Sequence, residues 1–257
     1  MYINDEFFEI SKDDKAYQRL TNAELDIIYE DENIMLINKP VGLLCHSDES
    51  YLSDTVIARV QAYLYKSGEW HPRDSASFTP ALCNRIDRNT RGIVIAAKNA
   101  PSLRIICEKL RQGEIDKYYI AVVHGVPKPP NARLEGYIFK DSVKNRVYVR
   151  KVRTVGAKTA IMEYKTLKTV QHEAGALSTL ECRLITGRTH QIRAQLASIG
   201  HPILGDAKYG RGDLDRPFGK SKQELCSYKV IFSFTTDAGI LSYLNGQTFE
   251  VPSVKSI

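Results

Sequence analysis

From Lys117 to Thr186 the chain runs through "KYYIAVVHG", "RLEGYIFK", "NRVYVRKV", "TAIMEYKTLKTV" and "LSTLECRLIT", five β-rich segments separated by turn residues. Val, Ile, Tyr and Thr suit a pleated, half-buried surface. Parallel neighbours need a crossover of a dozen or more residues, so strands this close in sequence pair antiparallel. The succession predicts a largely antiparallel sheet and argues against a strict βαβ repeat. Upstream, "LDIIYEDENIMLINKP" predicts two short strands about the turn Glu30 to Asn33. Three helices are expected. "SDTVIARVQAYLY" has Ser53 as N-cap and Val56, Val60, Tyr63 and Leu64 near helical spacing; a second is announced by Pro101 and carries Leu103, Ile106, Cys107 and Leu110 on one face. "GRTHQIRAQLASIG" supplies the third, closed by Gly200, with Ile192, Leu196 and Ile199 toward the core. "SYKVIFSF", "GILSYL" and "QTFEVP" read as a closing strand group. The fold class is α+β, a mixed, largely antiparallel sheet flanked by helices.

At 257 residues with 43% hydrophobic content, the chain can bury a sizeable core. No stretch approaches the roughly 20 apolar residues that span a bilayer, and "MYINDEFFEI" does not read as a signal peptide, so a cytoplasmic protein without a membrane partner is expected. Five scattered cysteines without a CxxC pattern predict reduced thiols and no metal site. The charge is uneven: residues 1–33 hold ten acids against three bases, a net of −7 in a chain of +6, which leaves +13 on the remainder. Such a basic body points to a polyanion, most often nucleic acid, or to a plain solvated surface.

Three polar elements interrupt this scaffold. Asp87 stands among arginines in "NRIDRNTRG", just before the apolar run Ile93 to Ala97; Tyr118 and Tyr119 follow Lys117; and Arg188, His190 and Arg193 cluster near the third helix. Each alone has a structural reading: an ion pair for Asp87, a core position for Tyr119, a solvated face for Arg193. Together they suggest a pocket. His190 and Arg193 are three residues apart and share a helix face. An arginine opposite Asp87 would hold that carboxylate ionised and oriented.

"NRIDRNTRGIVIAAKN", "KYYIAVVHG" and "ITGRTHQIRAQLASIGHPILGDAKYG", in this order, resemble RNA pseudouridine synthases of the RluA, RluC and RluD type, and with "IIYEDENIMLINKPVGLLCH" the resemblance runs from about residue 25 to about residue 253. It implies a pseudouridine-synthase-like fold and an enzyme that isomerises uridine within RNA, without metal or organic cofactor. Asp87 matches the family's essential aspartate. Tyr119 matches the tyrosine that stacks on uracil and is placed to take part in proton removal from C5. Arg193 matches the basic partner of the aspartate, and Arg85 an arginine that supports the flipped nucleotide. Catalytic roles are therefore expected for Asp87, Tyr119 and Arg193, and RNA contacts for Arg85, Arg88, Arg188, His190 and Lys208. The expected substrate is large-subunit ribosomal RNA, with transfer RNA second, acted on by a monomer. Rival readings are an RNA-binding protein that lost catalysis and a metal-free nucleoside hydrolase.

Residues 1–24 read as an acidic segment, a remnant or connector of an S4 RNA-binding domain, and 25–257 as the catalytic domain. The chain departs from the family's pattern with Asn84 for His, Asn89 for Asp, Arg91 for Ser or Gly, and Leu225-Cys226-Ser227 for the late "LHA". A second basic group, Lys140, Lys144, Arg146, Arg150, Lys151, Arg153 and Lys158, is opposed only by Asp141. Strand alternation is expected to align several of these, Lys144 and Arg150 among them, along one exposed face that contacts phosphates.

Overall fold

The computed structural model describes residues 24–47, 54–72, 78–210, 212–219 and 222–252. The acidic segment before residue 24 and the expected N-cap Ser53 lie outside the described residues. Eleven strands form one sheet. They are β1 (Ile27–Glu30), β2 (Ile34–Lys39), β3 (Ala81–Leu82), β4 (Arg91–Ala97), β5 (Ile115–His124), β6 (Asn131–Asp141), β7 (Arg146–Arg150), β8 (Lys158–His172), β9 (Gly175–Leu184), β10 (Leu225–Phe232) and β11 (Thr248–Glu250). The order across the sheet is β1-β2-β4-β10-β5-β9-β8-β6-β7, with β3 beside β4 and β11 beside β10. Among these pairs β4 with β10 is parallel and the others antiparallel. The five β-rich segments are thus β5 to β9, and the expected α+β class holds.

Among the described residues, three helices of eight or more residues cover the sheet: α1 (Val56–Lys66), α2 (Ala100–Gln112) and α3 (Gln191–Ser198). Strands β2 and β4 are buried on both faces, which is why their sequences are continuous apolar runs instead of alternating ones. Met35, Ile37, Val94 and Ala96 pack on Val56, Val60 and Leu64 of α1. Ile34, Leu36, Ile93 and Ile95 pack on the opposite side with Ile106 of α2, Phe232 and Leu241. A third cluster joins Tyr119, Ala121 and Val123 of β5 to Ile192 and Leu196 of α3. Ile86 packs against both the α1 and the α3 clusters, so the next residue, Asp87, sits on the seam between them.

Four details differ from the expectations. The N-cap of α1 is Thr55, whose side chain accepts from Ala58 N. In α2, capped by Asn99, the fully buried residues are Ser102, Ile106 and Lys109, while Leu103, Cys107 and Leu110 are half-buried. Lys109 is tolerated there because its ammonium bonds Glu114 Oε2 at 2.7 Å and Thr236 O at 2.8 Å. Ile199 is 38% exposed, since α3 ends at Ser198 and the chain turns at Gly200. "GILSYL" is a 3-10 helix, not a strand; its three-residue repeat places Leu241 and Leu244 together on the core.

Candidate active site

Asp87 is held by a loop between β3 and β4 that is tied from several directions. Asn84 Oδ1 accepts from Ile95 N at 2.8 Å. Thr90 N donates to Asp87 O at 3.0 Å, and Gln223 Nε2 donates to Thr90 Oγ1 at 2.9 Å. Lys39 is fully buried and its ammonium donates to three backbone carbonyls, those of Pro40, Leu43 and Arg88. Burial pushes its pKa down to about 8, with Cys45 and Asp87 opposing. Gly92 ends the loop at φ +110°, where a Cβ would lie 2.1 Å from Ser227 O. Only glycine lets β4 and β10 approach this closely.

The loop before α3 is fixed by Gln191. Its Oε1 accepts from Thr186 Oγ1 at 2.8 Å and Arg188 N at 3.0 Å, and its Nε2 donates to Ile161 O. His190 is the N-cap residue, with left-handed φ 52° and ψ 23°, so it does not share a helix face with Arg193 in the way the spacing suggests. Both nevertheless reach Asp87. Arg193 Nη1 donates to Asp87 Oδ2 at 2.8 Å, and His190 Nε2 lies 3.9 Å from the same oxygen. His190 Nδ1 meets the Tyr209 hydroxyl at 2.9 Å, and that hydroxyl also accepts from Val147 N at 2.8 Å. Burial lowers the His190 pKa, with the nearby Asp87 carboxylate opposing.

Arg193 is shared. Its Nε and Nη2 donate to Asp206 Oδ2 and Oδ1 at 2.7 and 2.9 Å, a bidentate pair with a fully buried carboxylate. Burial alone would push the guanidinium pKa down, but the two carboxylates outweigh it and raise it. Burial likewise would raise Asp206, and the Arg193 bonds with those from Lys208 N and Tyr209 N bring it below the usual range. Gly205, at φ +74° with Lys222 O where a Cβ would stand, aims Asp206 inward.

Tyr119 is 6% exposed. Burial pushes its pKa up to about 12, against a hydrogen bond with Ser227, its cross-strand partner. The phenol is therefore protonated at pH 7.

A cleft of about 860 Å³ is lined by Asp87, Tyr119 and Arg193, by Arg85, Arg88, Arg188, His190 and Lys208, and by Lys117 and Lys140. All eight residues from the three sequence segments meet there. Lys144 and Arg150 do not line it: Lys144 is in the β6–β7 turn, and Arg150 stacks 5.9 Å from the Phe139 ring on the far side of the hairpin. The expected single basic face is thus split, with Lys140 opposite Val147 toward the cleft and Arg150 opposite Tyr137 away from it. Asp206 and Lys39 were not expected at the site, and Ser227 was noted only within the departure Leu225-Cys226-Ser227. Gly205, directly before Asp206, is the one local mark of a tight turn there, and its close approach to Lys222 O is seen only in the fold. Among the described residues no three His, Cys, Asp or Glu side chains gather as metal ligands, and no helix is long and apolar enough to cross a membrane.

The family model described as RNA pseudouridylate synthase matches residues 33–198. The chain belongs to this family. It is 36% identical over 194 residues to an uncharacterized RNA pseudouridine synthase of Aquifex aeolicus, covering 74% of this chain and 57% of that protein. It is 34% identical over 213 residues to the ribosomal large subunit pseudouridine synthase D of Borreliella burgdorferi, covering 82% of this chain and 62% of the relative. The chain thus spans about three-fifths of the length of these curated relatives. Among solved structures, human RNA pseudouridylate synthase domain containing 4 superposes with TM-score 0.67 at 22% identity, covering 91% of this chain and 90% of that one. That likeness supports the fold, as the resemblance to RluA-type enzymes implied.

Proposed function

We propose that this chain isomerises uridine to pseudouridine within RNA, and that residues 25–257 act as the catalytic domain. The observation that carries the proposal is the triad Asp87, Arg193 and Asp206 at the floor of a cationic cleft that also holds Tyr119. In the reaction the bond from N1 to C1′ breaks, the uracil turns, and C5 bonds to C1′; C5 then releases its proton and N1 takes one up. A uridine must first leave its stack, at a cost of a few kcal/mol, and Tyr119's ring offsets part of it by stacking on the uracil. Asp87 acts on the sugar, at C1′ as nucleophile or at a neighbouring C–H as base. Both routes need a carboxylate of fixed orientation, which the bond from Arg193 Nη1 supplies. Large-subunit ribosomal RNA is the proposed substrate, because curated relatives carry that description.

The test is tritium release from RNA labelled at uracil C5, prepared from cells lacking this protein. The parent should release tritium and fold-competent Asp87→Ala should not, while RNA binding stays nearly intact because phosphates supply most of the affinity. Full release by Asp87→Ala would overturn the assignment of this site, and no release by the parent would favour a non-catalytic RNA-binding protein.

A further inference from the structure

Lys117 lies two residues before Tyr119 on β5, between Leu184 of β9 and Val230 of β10, and lines the same cleft. Alternation puts Lys117 and Tyr119 on one face of the sheet and Asp116 on the other. Asp116 is occupied there by Arg183, whose Nε and Nη2 both donate to its Oδ1, at 3.0 and 2.9 Å. The other cleft cations differ in kind. Arg193 has two carboxylates, while Arg88, Arg188 and Lys208 each donate to a backbone carbonyl. Arg85, Arg111 and Lys140 are exposed. Lys117 is half-buried, and among the described residues its ammonium has neither a side-chain hydrogen bond nor an ion pair. Asp116 opposes the burial of this ammonium from the other face of the sheet but is bonded to Arg183, and a desolvated cation so weakly compensated is costly unless a ligand provides an anion.

We propose that Lys117 binds a phosphodiester of the substrate strand beside the flipped uridine, forming a phosphate site at the β5 floor of the cleft. The two side chains leave the strand about 7 Å apart on the same face, a separation on the scale of one nucleotide. With uracil against the Tyr119 ring, the backbone of the same strand passes within reach of the ammonium. Burial already lowers the pKa of the free lysine, and a bound phosphate reverses that penalty by Coulomb attraction. Water in the cleft is displaced as the strand enters, so the contact is stronger than a surface lysine's. The site rests on the synthase reading for the placement of the base.

The experiment compares the full chain with Lys117→Gln and Lys117→Arg, using RNA labelled with tritium at uracil C5 from cells lacking the protein. The slope of log kcat/KM against log salt should be shallower in Lys117→Gln by about 0.7, the value for one lost phosphate contact to a single strand. Saturating kcat should be kept, and Lys117→Arg should keep the parent slope. An unchanged slope in Lys117→Gln would overturn the site, as would a loss of kcat with the slope held, which would put the ammonium in the chemistry or in the fold. If the parent releases no tritium, the synthase reading has failed. The salt slope for binding a fluorescent uridine nonamer then decides Lys117 by the same criterion, equal slopes in parent and Lys117→Gln rejecting it.

Discussion

Asp206 takes two of Arg193's donors, Nε at 2.7 Å and Nη2 at 2.9 Å, and thereby aims the third, Nη1, at Asp87. The fully buried carboxylate fixes the guanidinium plane; the half-buried one faces the cleft. Arg193 is thus a positioned counter-ion whose orientation is set from behind. Asp206→Ala leaves a buried arginine with a single carboxylate and should cost about 3–5 kcal/mol of stability, the range for removing one partner of a buried pair. Asp206→Asn keeps an acceptor and should cost less, yet lower kcat by releasing the plane. Urea unfolding and tritium release check the two effects, and parent-like kcat in a folded Asp206→Asn variant would remove Asp206 from the positioning role.

Tyr119 separates into a ring and a hydroxyl. Tyr119→Phe loses the bond to Ser227, worth about 0.5–1.5 kcal/mol net, and should keep RNA affinity while turnover falls. Tyr119→Ala also removes a core ring that packs with Ala121, Val123 and Ile192, so a loss of about 3–5 kcal/mol is expected beside the loss of stacking. Because the phenol's pKa is pushed up to about 12, no titration of Tyr119 should shape the pH–rate profile between pH 6 and 9. Turnover of Tyr119→Phe equal to the parent's would leave the hydroxyl without a chemical task.

Legibility in the sequence followed the range of the interactions. Strands β5 to β9 were readable because β-branched and aromatic residues alternate locally with turns between them. Asp87, Tyr119 and Arg193 were readable because each stands in a long motif. "GILSYL" was misread since its apolar content suits a strand; its first residue, the left-handed Gly239, and the Leu241–Leu244 spacing are the local marks of a 3-10 turn. Asp206 sits in "GDAKYG", where only Lys208 was expected to reach the site, and its burial follows from packing against Arg193. The side of the β6–β7 hairpin that faces the cleft is set by Val147 N bonding the Tyr209 hydroxyl 62 residues away, so alternation alone could not tell Lys140 from Arg150.

Acid should unfold this protein in part through Glu114. Lys109 first, then Thr235 and Thr236, hold its carboxyl down at about 2 instead of 4.5. A depressed carboxylate contributes stability that is complete above its unfolded pKa and is lost as pH falls through the folded one. The window is therefore from about pH 4.5 down to about 2. Glu114→Gln should lower Tm at pH 7, because Lys109 stays buried without its partner, and should flatten the decline of Tm across that window. An acid limb as steep as the parent's would assign the decline to other carboxylates, with Asp206, also held below its usual range, the next to test.

Lys144 and Arg150 test how far RNA extends beyond the cleft. They flank the exposed β6–β7 hairpin, with Arg146 above the Tyr209 ring and Lys140 on the cleft side. A strand leaving the cleft past Lys140 would cross the hairpin tip, so Lys144 is nearer the path than Arg150. Reversing both to Glu should weaken RNA binding across sequences, and the slope of log affinity against log salt should fall by roughly 0.7–0.9 per lost contact. Comparing the single variants then apportions the loss: Lys144→Glu alone should account for most of it, and kcat at saturating RNA should not change, because neither side chain lines the cleft. Equal losses from the two single variants would mean that RNA wraps the hairpin and touches both faces, and an unchanged slope in the double variant would make this basic group a solvated surface.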